Sequence, residues 1–152
     1  MKMLKLSTRG LYGIKALYEL ANNFGKKPVN IRAMSERHGM PVPFLEQVLY
    51  LLKKRGFVIS QRGINGGYML ARPPEEITIG DAVRALEGPI ALCDCLVKNK
   101  GGKVSAKAKN CIASSLYRKL GEKVEQAFDS ITLLELSEES TEKTYSGKCH
   151  TF

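Results

Sequence analysis

Four cysteines are the side chains best suited to chemistry in this sequence of 152 residues. Cys93, Cys95 and Cys111 fall within one short stretch, and Cys149 stands near the end. Residues 1–9 lack the sustained apolar run of a secretory signal, so we do not expect a disulfide framework. Thiolates bind metals and react with oxidants, and this grouping therefore indicates metal, cluster or redox chemistry.

The stretch that holds Cys93 and Cys95 and leads to Cys111 shows little sign of regular structure. Residues 90–110 contain five lysines and the pair Gly101-Gly102, but no aromatic residue. We interpret the stretch as a functional or mobile loop. A small helix predicted over 77–87 and a long helix predicted over 111–130 flank it and must position the thiols.

The first 55 residues predict three helices, over 8–24, 30–38 and 43–55. Asn30 is a favourable N-cap for the second helix, and Gly39 supplies a turn in which a positive φ costs little. Two helices joined by a short turn with glycine are typical of a helix-turn-helix, whose second helix enters the major groove of DNA. The apolar stripe expected on the first helix consists of Leu11, Ile14, Tyr18 and Ala21.

A change of period after Gly56 then predicts a β-hairpin with strands over 57–62 and 68–71. The dipeptide Asn65-Gly66 between them favours a tight turn with a positive φ at both residues. A hairpin directly behind a helix-turn-helix is a wing, and Arg62 would enter a narrow minor groove. We therefore predict a winged helix-turn-helix DNA-binding domain over residues 1–74.

The distribution of charge agrees with a polyanionic partner. The formal net charge is +9, and residues 1–72 carry 13 lysines and arginines against three glutamates, so the remaining chain is close to neutral. Binding to phosphates releases condensed counterions, which favours such a segregated positive field. A solvated basic face is the alternative interpretation of the same pattern.

The predicted helix over 111–130 has an apolar stripe that a small domain cannot easily bury alone. Such an apolar stripe is most simply the interface of a homodimer. A homodimer would place two recognition helices about one DNA turn apart. We therefore predict a mainly α fold with a small hairpin wing, a linker, cysteine loop and dimerisation helix over 75–136, and a flexible tail over 137–152. The candidate interface residues are Ile112, Leu116, Leu120, Val124, Phe128 and Ile131.

Several short motifs of this sequence, taken together, are specific for one family. The motifs lie in the same order and at the same positions along the chain as in members of that family. They are 62–68 (RGINGGY), 71–73 (ARP), 77–81 (ITIGD), 85–88 (ALEG), 45–47 (LEQ), 6–8 (LST) and 129–133 (DSITL). In these segments the sequence closely resembles the IscR-like family of bacterial winged helix-turn-helix transcription regulators. The resemblance extends to about Leu136.

The resemblance implies a homodimer on palindromic operators of double-stranded DNA. It implies that Glu46, Gln47 and Arg62 contact DNA, since glutamate accepts from cytosine and glutamine pairs with adenine. We expect Asn65-Gly66 at the hairpin tip to approach a groove. Lys53 and Lys54 are expected to hold phosphates. Pro43 stands where relatives often carry a small hydroxyl residue, so operator preference is expected to differ.

The resemblance also implies an iron-sulfur cluster, of the 2Fe-2S type, that senses iron-sulfur status, redox state or nitric oxide. Cys95 and Cys111 stand at the outer two of the family's three cysteine positions. Ser105 and Ala106 stand where the middle cysteine is expected, and Cys93 is an additional thiol. Thiolates are the usual cluster ligands.

The fourth ligand of such a cluster is open. Ser114 replaces a histidine ligand found within the family, and Leu11 occupies a site where some relatives have an acid. His38 is a candidate, because it stands just before the recognition helix and would couple the cluster to DNA binding. A histidine at a helix end is otherwise a cap or a solvated group.

Two alternatives remain at this point. The same DNA-binding regulator could use Cys93 and Cys95 as a thiol switch without a cofactor, or could be controlled by a protein partner. A winged-helix module could instead bind RNA or an acidic protein. An enzyme is not expected, because no Ser-His-Asp, phosphate-loop or paired-carboxylate pattern occurs. No stretch approaches the length of a membrane span, so we expect a cytoplasmic protein without a membrane partner.

Overall fold

The computed structural model describes residues 6–90, 92 and 112–142. Within these residues the chain forms six α-helices, one antiparallel hairpin and a 3₁₀ turn. In chain order the elements are α1 (Thr8–Asn22), α2 (Ile31–His38), α3 (Val42–Lys54), β1 (Val58–Gln61), β2 (Gly67–Leu70), the 3₁₀ turn (Pro74–Glu76), α4 (Ile79–Glu87), α5 (Ile112–Asp129) and α6 (Leu133–Glu142). The fold is mainly α with a small hairpin, as the sequence predicts.

Helix α1 is central to the fold and packs against α3, α4 and α6. Its N-cap is Ser7, whose Oγ accepts from the Gly10 backbone N–H at 3.2 Å. The stripe expected on α1 is only partly right, since Ala21 alone of its four residues is fully buried. The prediction followed the spacing of large apolar residues. The face of α1 that neighbouring helices approach consists largely of small residues, so that spacing does not identify it. The fully buried residues are Gly10, Gly13, Ala16, Leu17, Glu19, Leu20 and Ala21.

Helices α2 and α3 meet at the predicted turn. The Asn30 side chain caps α2 by accepting from the Arg32 backbone N–H at 2.8 Å. Gly39 ends α2 with a φ of 63°, where a Cβ would be strained. The Met40 N–H then returns to the Ser35 carbonyl at 3.0 Å. Pro43 lies within the first turn of α3, where the absence of an N–H has no cost.

The hairpin confirms the two predicted strands but not the predicted turn. β1 and β2 pair from Val58–Leu70 to Gln61–Gly67, so residues 62–66 connect them. The turn closes with the Gly66 N–H on the Gly63 carbonyl at 2.9 Å, and the positive φ of this connection lies at Gly63, not at Asn65 or Gly66. The expected positive φ at both Asn65 and Gly66 is therefore wrong, because a five-residue connection does not require it.

The chain after the hairpin returns to α1. Thr78 caps α4 and pairs with Thr132, while the Leu133 N–H donates to the Ile77 carbonyl at 2.9 Å. These bonds place α6 beside α1, with Leu133 fully buried.

Two predictions for the C-terminal part need correction. Helix α6 continues to Glu142, so residues 137–142 are helical where a tail was expected from 137 onward. Polar composition by itself does not distinguish a helix from a tail, and Ser137 at the start of this segment is buried. Ile131 lies between α5 and α6 rather than on the long helix.

One apolar core joins the two predicted domains of the described chain. Leu17, Leu49 and Leu52 from the first part contact the same cluster as Ile77, Leu86 and Leu133 from the second. The predicted boundary at residue 74 therefore does not separate two cores. Among the described helices none is long and apolar enough to cross a membrane.

Candidate nucleic-acid interface

Helix α3 has two opposite faces of different character. Its inner face consists of four side chains that are at most 1% exposed, namely Leu45, Val48, Leu49 and Leu52. Its outer face is exposed throughout and holds Pro43, Glu46, Gln47, Tyr50, Lys53 and Lys54. Because the inner face anchors the helix in the core, the outer face is presented rigidly to a partner.

The C-terminal end of α3 is linked to the hairpin. The Lys53 Nζ donates to the Ser60 Oγ on β1 at 2.5 Å. Lys53 therefore serves partly to hold the hairpin beside α3, whereas Lys54 is fully available to solvent. The sequence indicated only a phosphate contact for Lys53 and missed this link.

The hairpin tip extends into solvent. Arg62, Ile64 and Asn65 are exposed. The relative exposure of Ile64 is 104%, so no other part of the described chain covers it. Gly66 is half-buried, since a Cβ there would lie 2.3 Å from the Gln61 carbonyl oxygen. A tip with these properties can approach a groove closely, and Arg62 lies at its base as predicted.

The base of the hairpin is fixed to the body of the protein. The backbones of Val29 and Tyr68 exchange two hydrogen bonds of 2.9 Å. The Arg72 guanidinium lies 5.0 Å from the centre of the Phe57 ring, a cation–π contact at the end of the hairpin. The tip and the outer face of α3 are thus held by one framework.

A buried carboxylate that sequence analysis missed holds the helix-turn-helix together. Glu19 of α1 is 3% exposed and accepts from Arg37, from the Asn23 Nδ2 at 3.4 Å and from the His38 Nε2 at 3.1 Å. The hydrogen bond from His38 lowers the pKa of Glu19, against the opposing effect of burial, and Arg37 lowers it further. The sequence does contain an indication of this site, which is an acidic residue on the otherwise apolar face of a predicted helix.

Of the four predicted cluster ligands, only His38 lies within the described residues. Cys93, Cys95 and Cys111 lie outside the described residues. His38 is described, and its Nε2 is occupied by Glu19, so only Nδ1 would remain for a metal. Among the residues that the structure does describe, no group of three His, Cys, Asp or Glu side chains could hold a metal ion.

The end of α4 reaches back to the start of α1. The Glu87 Oε1 accepts from the Ser7 backbone N–H at 2.9 Å and from the Ser7 Oγ at 2.5 Å. Glu87 lies a few residues before the segment that carries the cysteines. These bonds tie the end of α4 to the N-terminus of α1.

Helix α5 divides the predicted dimer stripe into two groups. Ile112, Leu116, Leu120 and the following Ile131 are 96%, 58%, 43% and 43% exposed. Val124 and Phe128 are half-buried, and Phe128 packs against the core of its own protomer. The stripe turns toward α4 at its C-terminal end, where Arg84 and Asp129 form a bidentate ion pair with distances of 2.7 and 2.5 Å.

Comparisons with known proteins agree with this arrangement. The model of the Rrf2 family, described as an iron-dependent transcriptional regulator, matches residues 6–139. The chain is 31% identical over 148 residues to the HTH-type transcriptional regulator IscR of Escherichia coli, covering 97% of this chain and 89% of IscR. It is 33% identical over 134 residues to the regulator CymR of Bacillus subtilis, covering 88% of this chain and 90% of CymR.

Solved structures give the same result. The T. potens IscR has a TM-score of 0.75 and 36% identity, with 95% of this chain and 93% of that chain covered. CymR, described as the global cysteine regulator of B. subtilis, has a TM-score of 0.74 and 34% identity, with 90% of this chain and 98% of that chain covered. These neighbours confirm the winged-helix fold and a role in regulation rather than catalysis. The chain is a DNA-binding transcription regulator and belongs to the Rrf2 family.

Proposed function

We propose that the chain binds palindromic operators in the cytoplasm as a homodimer, with α3 in the major groove and the hairpin tip in the adjacent minor groove. The observation that carries this proposal is the division of α3 into a buried apolar face and an exposed face. Glu46 and Gln47 lie on that exposed face near the start of the helix, which is the part that reaches base edges in helix-turn-helix proteins.

Glu46, Gln47 and Arg62 are proposed to specify the operator, and Lys54 to contact phosphate. Replacing Glu46 or Gln47 with alanine should cost about 1–3 kcal/mol of discrimination at one base pair. Lys54→Ala should instead weaken binding to all duplexes and reduce its dependence on salt. Selection from random duplexes, followed by titration of the selected sequence at several salt concentrations, measures both effects. Equal binding to every duplex by the unaltered chain would contradict the proposal.

The homodimer is supported by the exposed apolar residues of α5. Leu116 and Leu120 lie one helical turn apart on an 18-residue helix without a fully buried residue. Pairing of two such helices would remove this surface from water and relate two copies of α3 by a two-fold axis. A two-fold axis in the protein requires a matching symmetry in the operator.

We further propose that Cys93, Cys95 and Cys111 ligate an iron-sulfur cluster, of the 2Fe-2S type, through which the regulator senses redox state, nitric oxide or cluster supply. The chemistry of the donor set supports this, since three thiolates suit such a cluster. The bound cluster would supply a redox-sensitive group. The contacts of Glu87 with Ser7 give a route from the cysteine segment to the N-terminus of α1.

The cluster proposal is tested by anaerobic purification with iron and sulfide assays. Stoichiometric iron and sulfide in the unaltered chain, and their loss in Cys111→Ala, are expected. Cys149→Ala is the matched control, because Cys149 stands outside the proposed ligand set. Absence of iron and of visible absorbance from anaerobic protein would overturn this proposal without affecting the proposal of DNA binding.

A second candidate form of control is a thiol switch at Cys93 and Cys95 without a cofactor. The similarity to CymR, a regulator described by its connection with cysteine, favours this candidate. It predicts that Cys111→Ala keeps an oxidant-dependent change in DNA binding and that Cys93→Ala loses it. The cluster model predicts loss of the response in both variants.

A further inference from the structure

Tyr50 is a large side chain in an unusual place. It stands in the middle of the outer face of α3 and is 68% exposed. Within the described part of the chain, neither its ring nor its hydroxyl has a hydrogen bond or a ring contact. A tyrosine contributes to stability mainly by burying its ring, and this tyrosine does not do so.

The neighbours of Tyr50 place it on the surface assigned to DNA. Side chains three and four residues apart share one face of a helix. Gln47 precedes Tyr50 by three residues, and Lys54 follows it by four. The ring is therefore flanked by a proposed base contact on one side and a proposed phosphate contact on the other.

The spacing along α3 fits the spacing of base pairs. Tyr50 lies about 4.5 Å beyond Gln47 along the helix axis. Adjacent base pairs are separated by roughly 3.4 Å along the duplex. When α3 lies along the groove and Gln47 contacts one base pair, the ring of Tyr50 comes beside a neighbouring base pair. An aromatic ring has one apolar partner on the major-groove edges of the bases, which is the C5-methyl group of thymine.

We propose that Tyr50 is a specificity residue that contacts the C5-methyl group of a thymine next to the base pair read by Gln47. This inference rests on the proposed function, because it requires α3 in the major groove. The ring supplies the contact, and the hydroxyl lies at the edge of the groove, where it stays solvated.

The experiment removes single methyl groups from the DNA. A duplex is first selected from a random library with the full-length protein, and each of its thymines is then replaced by deoxyuridine in one half-site at a time. Binding of the unaltered chain should weaken about fourfold at one such position, which is the effect of one apolar carbon group withdrawn from contact. Tyr50→Ala should bind the selected duplex more weakly and should no longer respond to that replacement.

Two further variants separate the ring from other contributions. Tyr50→Phe keeps the ring, so it should keep the fourfold response. Lys54→Ala should bind every duplex more weakly and also keep the response. The melting temperature of Tyr50→Ala should match that of the unaltered chain, because the ring is exposed in the free protein.

The possible results distinguish this inference from the proposal on which it rests. A chain that selects no duplex refutes the proposed function. A chain that selects a duplex but ignores every deoxyuridine refutes the inference alone. The inference is also wrong if Tyr50→Ala keeps the response, or if Tyr50→Phe loses as much affinity as Tyr50→Ala, since the hydroxyl would then carry the contact.

Discussion

At the scale of single residues, Glu19 connects the framework of the protein to its DNA-binding elements. Its carboxylate lies on α1, and its partners Arg37 and His38 lie at the end of α2, just before the turn that leads to α3. A charge removed from water is tolerated only when such partners surround it. This small network therefore ties the end of α2 to α1, next to the turn that precedes α3.

Glu19→Gln is expected to lower the free energy of unfolding at neutral pH by about 1–3 kcal/mol, as for a buried group that loses its partner. The pKa of Glu19 lies below its ordinary value of 4.5 in the folded chain. Its stabilising contribution is thus complete above that value and is lost as the pH falls through the lowered pKa. The difference between the two proteins should shrink below about pH 4.5.

Urea unfolding of both proteins across this pH range measures the effect. Glu36→Gln is the matched control, because Glu36 is an exposed acid on α2. A difference between Glu19→Gln and the unaltered chain that stays constant down to strongly acidic pH would contradict the assignment.

At the scale of elements, the crossing of α1 and α4 depends on small residues. A Cβ added at Gly13 would lie 2.3 Å from the Leu86 Cδ1, and Leu86 is only 2% exposed. A Cβ at Gly10 would meet the carboxylate of Glu87 in the same way. The two helices can approach this closely because α1 has glycine at both positions.

Gly13→Ala is expected to destabilise the fold by about 1–3 kcal/mol, in spite of the better helix propensity of alanine, because the added methyl overpacks the crossing. Leu86→Ala alone should leave a cavity and cost about 2–5 kcal/mol. The double variant should lose less than the sum of the two, since the new methyl fills part of that space. Thermal unfolding of the unaltered chain, the two single variants and the double variant measures these losses. If the losses are additive, the close contact between Gly13 and Leu86 is contradicted.

At the scale of the whole molecule, the proposed homodimer depends on the exposed apolar residues of α5. Leu120→Glu is expected to raise the dissociation constant of the dimer about tenfold or more, because pairing would then remove a carboxylate from water in each protomer. Gln126→Glu is the matched control, since it adds the same charge to an exposed position two residues beyond Val124, on another side of the helix.

Sedimentation equilibrium measures both variants, and titration of a full operator against a half operator shows the consequence for DNA. Leu120→Glu should lose the preference for the full operator while still binding the half operator. A monomeric unaltered chain, or equal effects of the two substitutions, would remove α5 as the interface.

The sequence by itself determined most of the local structure. The cap at Asn30 is set by a side chain that bonds to a backbone group two residues away, and the turn at Gly39 by the freedom of glycine to take a positive φ. The inner face of α3 follows directly from the spacing of its leucines. Arg62 could be placed at the hairpin because residues 57–62 and 68–71 have the composition of two strands.

Only the tertiary structure decided where the elements meet. The partners of Glu19 come from another helix, the turn at 62–66 takes its shape from the register of two strands, and Phe128 turns inward because α4 lies beside it. Local sequence spacing carries no information on such contacts, since they form between residues that are distant along the chain. Burial and pairing across these distances are properties of the packed molecule.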